Sequence, residues 1–330
     1  MLPALCFLHN FQPLYFVWYA MKPLFYILLW LFLLCATKNA NCNTLATARY
    51  TDTLIVQQGV IGGKLSAKWR NTIAPRLTKT TFDSVSALQK NFTAGQQAWI
   101  HLIESRRNRW NLYRDSLQAA FEGCHVPDTI YVLVGMSEGN DAFTYQNNTI
   151  CFDAEALEKL YGPAHLAENS ERINRLFAHE FTHLVHKEWA RKNKLQLKTF
   201  RDSVLWECLY EGLGMYRSLS ANWLPLNGAL PGITKNALAE LSPQFVAMLS
   251  LVNGEGSLAE ADKKRITANL SNGPVAKKWG AFTVAIWLAL EANGHDRNLI
   301  YYTAKGPEAI ILMAKKYLDG KSKHTFEKIF

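Results

Sequence analysis

Charge is scarce in this 330-residue chain: Asp, Glu, Lys and Arg make up 19%, against 49% hydrophobic residues. Disorder requires the opposite balance, so the chain folds. Glycine (19) and proline (11) are ordinary in number, which excludes collagen-like and low-complexity classes. Also missing are a C-x-x-C pair, a P-loop, a dinucleotide fingerprint and a Ser-His-Asp order. Structural zinc ribbons, thiol redox motifs and the common nucleotide and serine-hydrolase chemistries therefore have no sequence support. The length suits one large domain or two modest ones.

The strongest apolar run, residues 24–36, has 13 residues. A spanning helix needs about 20, whereas the core of a signal peptide needs about 7–15. Lys22 supplies the positive flank. Residues 1–40 are expected to be a leader, with translation starting at Met21 and residues 1–20 an upstream extension. A cleaved signal peptide and a retained signal anchor both stay open, so the chain is expected to be exported: periplasmic, secreted or anchored to the membrane by this segment. Beyond the leader stand Cys42, Cys124, Cys151 and Cys208; an exported chain could pair them, in any of three connectivities.

The net charge is +9. Its densest cluster, Lys187, Arg191, Lys192, Lys194, Lys198 and Arg201, reads as a solvated helix end, where cations are favoured. No aromatic-interleaved motif accompanies it, and nucleic acid is not an expected partner.

Local patterns predict the organisation. Residues 43–80 read as polar and mixed, with a turn at Gly62-Gly63. Residues 82–122 read as helical and are stopped by Gly123. Residues 129–135 are β-branched and aromatic and read as a buried strand. Residues 142–152 read as two short strands around Asn147-Asn148, because asparagine tolerates positive φ. Helices are expected over about 154–160, 170–192, 200–219, 236–252, 257–270, 275–292 and 307–318. A helix, a small sheet, then many helices make an α+β plan.

The chemistry concentrates in His179-Glu180-Phe181-Thr182-His183. Apolar residues at 173, 176, 177, 181, 184 and 185 support an amphipathic helix. Positions i and i+4 lie one above the other, so His179 and His183 project from one face and can share one Zn²⁺ at about 2.0–2.1 Å each. Glu180 sits about 100° around the helix, placed to act as a base on a water. A third ligand is available from Glu207 or Glu211, which share a face amid apolar residues where a lone carboxylate would be costly. Glu211 is preferred because Gly212 and Gly214 allow close packing against the first helix. Glu207 would then hydrogen-bond a ligand histidine, and the two roles are interchangeable. His186 is expected to have a supporting role. Tyr210 and Tyr216 could donate to an oxyanion but are expected in the core, as tyrosines on an apolar helix usually are; the aromatic residues of 279–287 are expected there too. Strand 142–145 reads as sheet interior, although its edge could take an extended peptide.

The His-Glu-x-x-His helix followed by Glu211-Gly212 resembles the gluzincin branch of zinc peptidases, and within it a family of predicted zinc-dependent proteases of unknown function. The likeness spans about 125–320 and includes Tyr-Val-Leu-Val-Gly at 131–135, Ala-Phe-Thr-Tyr at 142–145 and the helix from Trp279 to Trp287. It implies a zincin-like fold, mainly helical with a small sheet before the metal helix. It also implies one catalytic zinc held by His179, His183 and Glu211, with Glu180 as catalytic base. The interval of 27 residues between His183 and Glu211 is longer than in many gluzincins, and no oxyanion-stabilising Tyr or His can be matched. The expected organisation is then a leader (1–40), a mainly helical region (41–127), a zincin-like core (128–220) and a helical subdomain (221–330). The expected function is a zinc metallopeptidase acting on peptide or protein substrates. The alternative is a non-catalytic zinc-binding or scaffold protein of the cell envelope.

Overall fold

The computed structural model describes residues 53–87, 90–137, 139–254 and 258–330. The expected leader and Cys42 lie outside the described residues. Strand β1 (Thr53–Gln58) is followed by a hairpin of β2 (Val60–Ile61) and β3 (Lys64–Leu65), and by helices α1 (Ala67–Ile73), α2 (Lys79–Ala87) and α3 (Ala94–Gln118). Strands β4 (Thr129–Gly135), β5 (Ala142–Tyr145) and β6 (Thr149–Asp153) come next. The rest is helical: α4 (Ala154–Tyr161), α5 (Ala167–Lys192), α6 (Phe200–Ser218), α7 (Gly232–Asn253), α8 (Glu260–Ala268), α9 (Ala281–Ala292), α10 (Ile300–Lys305), α11 (Ala309–Tyr317) and α12 (Gly320–Glu327). The α+β plan is therefore present, mainly helical with a small mixed sheet.

The sheet has the order β1-β4-β6-β5. β1 and β6 run parallel to β4, and β5 runs antiparallel to β6 at the margin. Side chains alternate across a strand, so β4 sends Ile130, Val132 and Val134 to the main core and Leu133 to a smaller one. That smaller core is closed by Trp69 and Ile73 of α1, Val85 of α2, Phe143 and Cys151.

Several expectations need correction. Residues 53–58 are a strand rather than mixed polar chain. Only Leu54 of β1 is buried, and the strand is held by parallel pairing with residues 129–134, which leaves little local signal. The helix expected over 82–122 is two helices, and Thr93 restarts the second with a capping box to Gln96. Positive φ at the β5–β6 turn belongs to Gln146, not to the asparagines. β5 is an edge strand, not sheet interior. The helix expected over 275–292 is broken: a 3₁₀ turn covers Val275–Lys277 and α9 begins at Ala281. The short α10 and α12 went unanticipated; α12 buries only Phe326.

Two features hold α5 in place. Trp110 of α3 stacks on Phe177 of α5, with centroids 4.3 Å apart and planes at 5°, and its Nε1 donates to Asn174 Oδ1 at 2.8 Å. On its other flank α5 packs along α6, which packs in turn on α9. The residues of α9 from Ala281 to Ala289 are all buried, as expected of a helix apolar on every side. Cys124, Cys151 and Cys208 are free and buried, so none of the three is paired. Among the described residues no helix is long and apolar enough to cross a membrane.

Candidate metal centre

The face of α5 that carries Arg175, His179, Glu180, His183 and Lys187 forms one wall of a cleft of about 1150 Å³. β5, α6 and the segment 271–278 supply much of the remaining wall. Within it ligand atoms of three residues meet. His179 Nε2 and His183 Nε2 are 2.9 Å apart. Glu211 Oε2 lies 3.6 Å from the first and Oε1 lies 3.5 Å from the second. A tetrahedral ion with bonds of about 2.0–2.1 Å requires its donors to be about 3.3–3.4 Å apart; the nearest separations, 2.9 Å between the imidazoles and 3.5 and 3.6 Å from each imidazole to a different oxygen of Glu211, lie around that value. His179, His183 and Glu211 could therefore hold a metal ion. The Glu211 side chain keeps 23% of its surface exposed, so the group opens onto the cleft.

Close packing of α6 on α5 makes this meeting possible. A Cβ at position 214 would lie 2.9 Å from His179 Nε2 and 3.0 Å from His183 Cε1, so the helix passes the imidazoles at a distance only glycine permits. Gly212 serves a different neighbour. A Cβ there would strike Val284 of α9 at 2.6 Å, so its role is to seat α6 on α9 rather than on the metal helix.

The protonation pattern suits ligation. Ser218 Oγ donates to Met215 O at 3.1 Å and lies 3.3 Å from His179 Nδ1. Its proton being committed, the hydroxyl is placed to accept from Nδ1–H, which leaves Nε2 as the ring atom directed at the site. Ser218 thus does what was expected of Glu207. Glu207 instead accepts from Ser271 Oγ at 3.3 Å; burial, then the charge of Glu211, pushes its carboxyl up to about 7. His183 stacks on Tyr210, with centroids 4.0 Å apart and planes at 10°, while its Nδ1 is buried without a partner. Burial acts against the charges of both His179 and Glu211, but their mutual contact outweighs it. His179 is held above the ordinary histidine value and Glu211 well below the carboxylate range.

Glu180 is 7% exposed and lines the cleft. Burial raises its pKa, opposed by the two histidines. Tyr210 also lines the cleft, with burial raising its phenol and Thr144 as its hydrogen-bond partner. Tyr216 faces elsewhere and donates to Asp296 Oδ1 at 3.0 Å. His186 stands apart from the ligand group: it is fully buried, stacked on Tyr210 and packed at a tilt against Phe121 and Trp206.

Lys187 leaves the solvated cluster and turns into the cleft, where its Nζ donates to Thr144 Oγ1 at 2.6 Å. Helical spacing foreshadows three unanticipated cleft residues: Arg175 precedes His179 by four, Lys187 follows His183 by four, and Ser218 follows Glu211 by seven. Lys278 had no such signal, because the helix break exposes it. Compared with known proteins, the chain matches no family model, no curated protein and no solved structure.

Proposed function

We propose that this chain is a zinc-dependent hydrolase that cleaves peptide bonds. The observation that carries the proposal is the convergence of His179 Nε2, His183 Nε2 and the Glu211 carboxylate at spacings suited to one tetrahedral ion, beside the buried carboxylate of Glu180. Two imidazoles and one carboxylate are a common donor set of catalytic zinc. Zinc bound there supplies a Lewis acid that acidifies a water and polarises a carbonyl. Glu180 takes up a proton at its carboxylate and returns it to the leaving amine; its burial-raised affinity for protons favours holding one in between. Ser218 keeps His179 in the tautomer that faces the site.

The edge of β5 supports a peptide as substrate. An extended chain can add to a free sheet margin through main-chain hydrogen bonds, and Ala142, Phe143 and Thr144 of β5 line the cleft.

The test combines elemental analysis of the purified full chain with digestion of a peptide mixture. One zinc per chain and metal-dependent cleavage are expected. Glu180→Gln should retain zinc and lose about 10²–10⁴-fold in turnover. A chain that binds zinc and cleaves nothing is the non-catalytic scaffold. One that cleaves equally well with Glu180→Gln has a different base.

A further inference from the structure

Five cations line the cleft, and they differ in their partners. Arg172 bonds to Asn169 Oδ1, reaches Glu168 at 3.3 Å and lies over Tyr161. Arg76 lies over the Phe143 ring, and Lys187 donates to Thr144. The side chains of Arg175 and Lys278 have no hydrogen bond or ion pair among the described residues, and Arg175 Nε is buried without an acceptor.

The acids of the cleft do not fill the gap. Asp141 accepts from Tyr161 Oη and from Ala142 N at 2.9 Å. Glu211 is engaged by the two histidines, and the same two histidines act on Glu180. Glu168 and Glu171 stand at the rim, 64% and 57% exposed, where water screens them. Burial lowers the pKa of both Arg175 and Lys278, the mark of cations withdrawn from water without full compensation. Both side chains are partly buried; a cation drawn out of water without an anion is disfavoured, and an anion arriving in the cleft offsets that.

We propose that the cleft selects substrates bearing a carboxylate within about two residues of the scissile bond, seated by Arg175 and Lys278. The proposal rests on the hydrolase reading above. Arg175 lies four residues, about 6 Å along the helix axis, from His179, and an extended peptide advances about 3.3 Å per residue. The planar guanidinium fork matches a carboxylate with two parallel hydrogen bonds, and Lys278 adds a point charge. Either a C-terminal carboxylate or an acidic side chain has this chemistry.

Three pools of N-acetylated random hexapeptides test it. One is amide-capped and free of Asp and Glu. The second is the same with a free C-terminal carboxylate. The third is amide-capped and carries one Asp or Glu. Cleavage by the zinc-loaded chain is followed by mass spectrometry, and retention on the immobilised Glu180→Gln chain is measured separately. At least one carboxylate pool should be cleaved and retained about tenfold or more over the neutral pool, the scale of a charge-assisted hydrogen bond. The second pool winning assigns a C-terminal carboxylate; the third assigns an acidic side chain. Arg175→Gln and Lys278→Gln, each checked for zinc content and thermal unfolding, should shrink that ratio, and Arg175→Lys should restore part of it. Equal handling of all three pools, or a preference that survives both glutamine variants, overturns the proposal. If no pool is cleaved at full zinc occupancy, the hydrolase reading fails, and the retention ratios still decide the carboxylate question.

Discussion

Gly214→Ala sets two effects of opposite sign against each other. In the interior of α6, alanine is favoured over glycine by about 0.8–1 kcal/mol. Were the surroundings open, the variant would be stabilised by that amount. They are not open: the added Cβ would lie 2.9 Å from His179 Nε2 and 3.0 Å from His183 Cε1. His183 cannot retreat easily, being 4% exposed and stacked on Tyr210. Overpacking of this kind costs about 1–3 kcal/mol, so the metal-free protein should lose between about 0 and 2 kcal/mol. Zinc affinity should suffer more, because displaced imidazoles no longer bracket one ion; a loss of about 1.4 kcal/mol in the site already means tenfold. Urea unfolding of the metal-free chain and competitive zinc titration read the two effects separately. A Gly214→Ala protein stabilised by about 1 kcal/mol, with unchanged zinc affinity, would refute the close approach of α6 to the two histidines.

Other consequences can be checked one by one. Ser218→Ala removes the acceptor of His179 Nδ1 and should weaken zinc binding by about tenfold or more, measurable by the same titration. Zinc affinity should fall by up to about tenfold per pH unit below the raised His179 value, because the metal must displace that proton. Burial lowers His186 to about 3; since its folded value lies below the unfolded 6.5, its contribution to stability is present above pH 6.5 and is lost as pH falls towards 3. Denaturant melts from pH 7 to 4 should show that loss, and His186→Phe should reduce it. Cys124, Cys151 and Cys208 are buried, and burial raises each thiol, so iodoacetamide should label them only after unfolding.

The metal helix was legible because its information is local: His179 and His183 share a face by the helical period alone, and the apolar positions of α5 repeat at the same spacing. Glu211 needed a further step, since the 27 residues between it and His183 say nothing about distance. Gly214 supplied part of that step, while Gly212 was credited to the wrong neighbour because sequence does not reveal that α9 lies behind α6. β1 leaves little trace in the sequence because its partner β4 lies 76 residues away, Thr53 pairing with Thr129, and only Leu54 of its own residues is buried. Lys278 was hidden for a related reason: the apolar run of α9 conceals the break at 278–280, which depends on how Trp279 and Gly280 bond back to Asn269 and Leu270. Short-period patterns survive in sequence, whereas contacts set by long-range packing do not.

Anomalous diffraction at the zinc edge, on crystals of the full chain grown with the metal, tests the centre directly. The expected result is one strong peak at about 2.0–2.2 Å from His179 Nε2, His183 Nε2 and a Glu211 oxygen, absent in His183→Ala crystals. A peak elsewhere, or none between these three side chains at saturating zinc, would contradict the account.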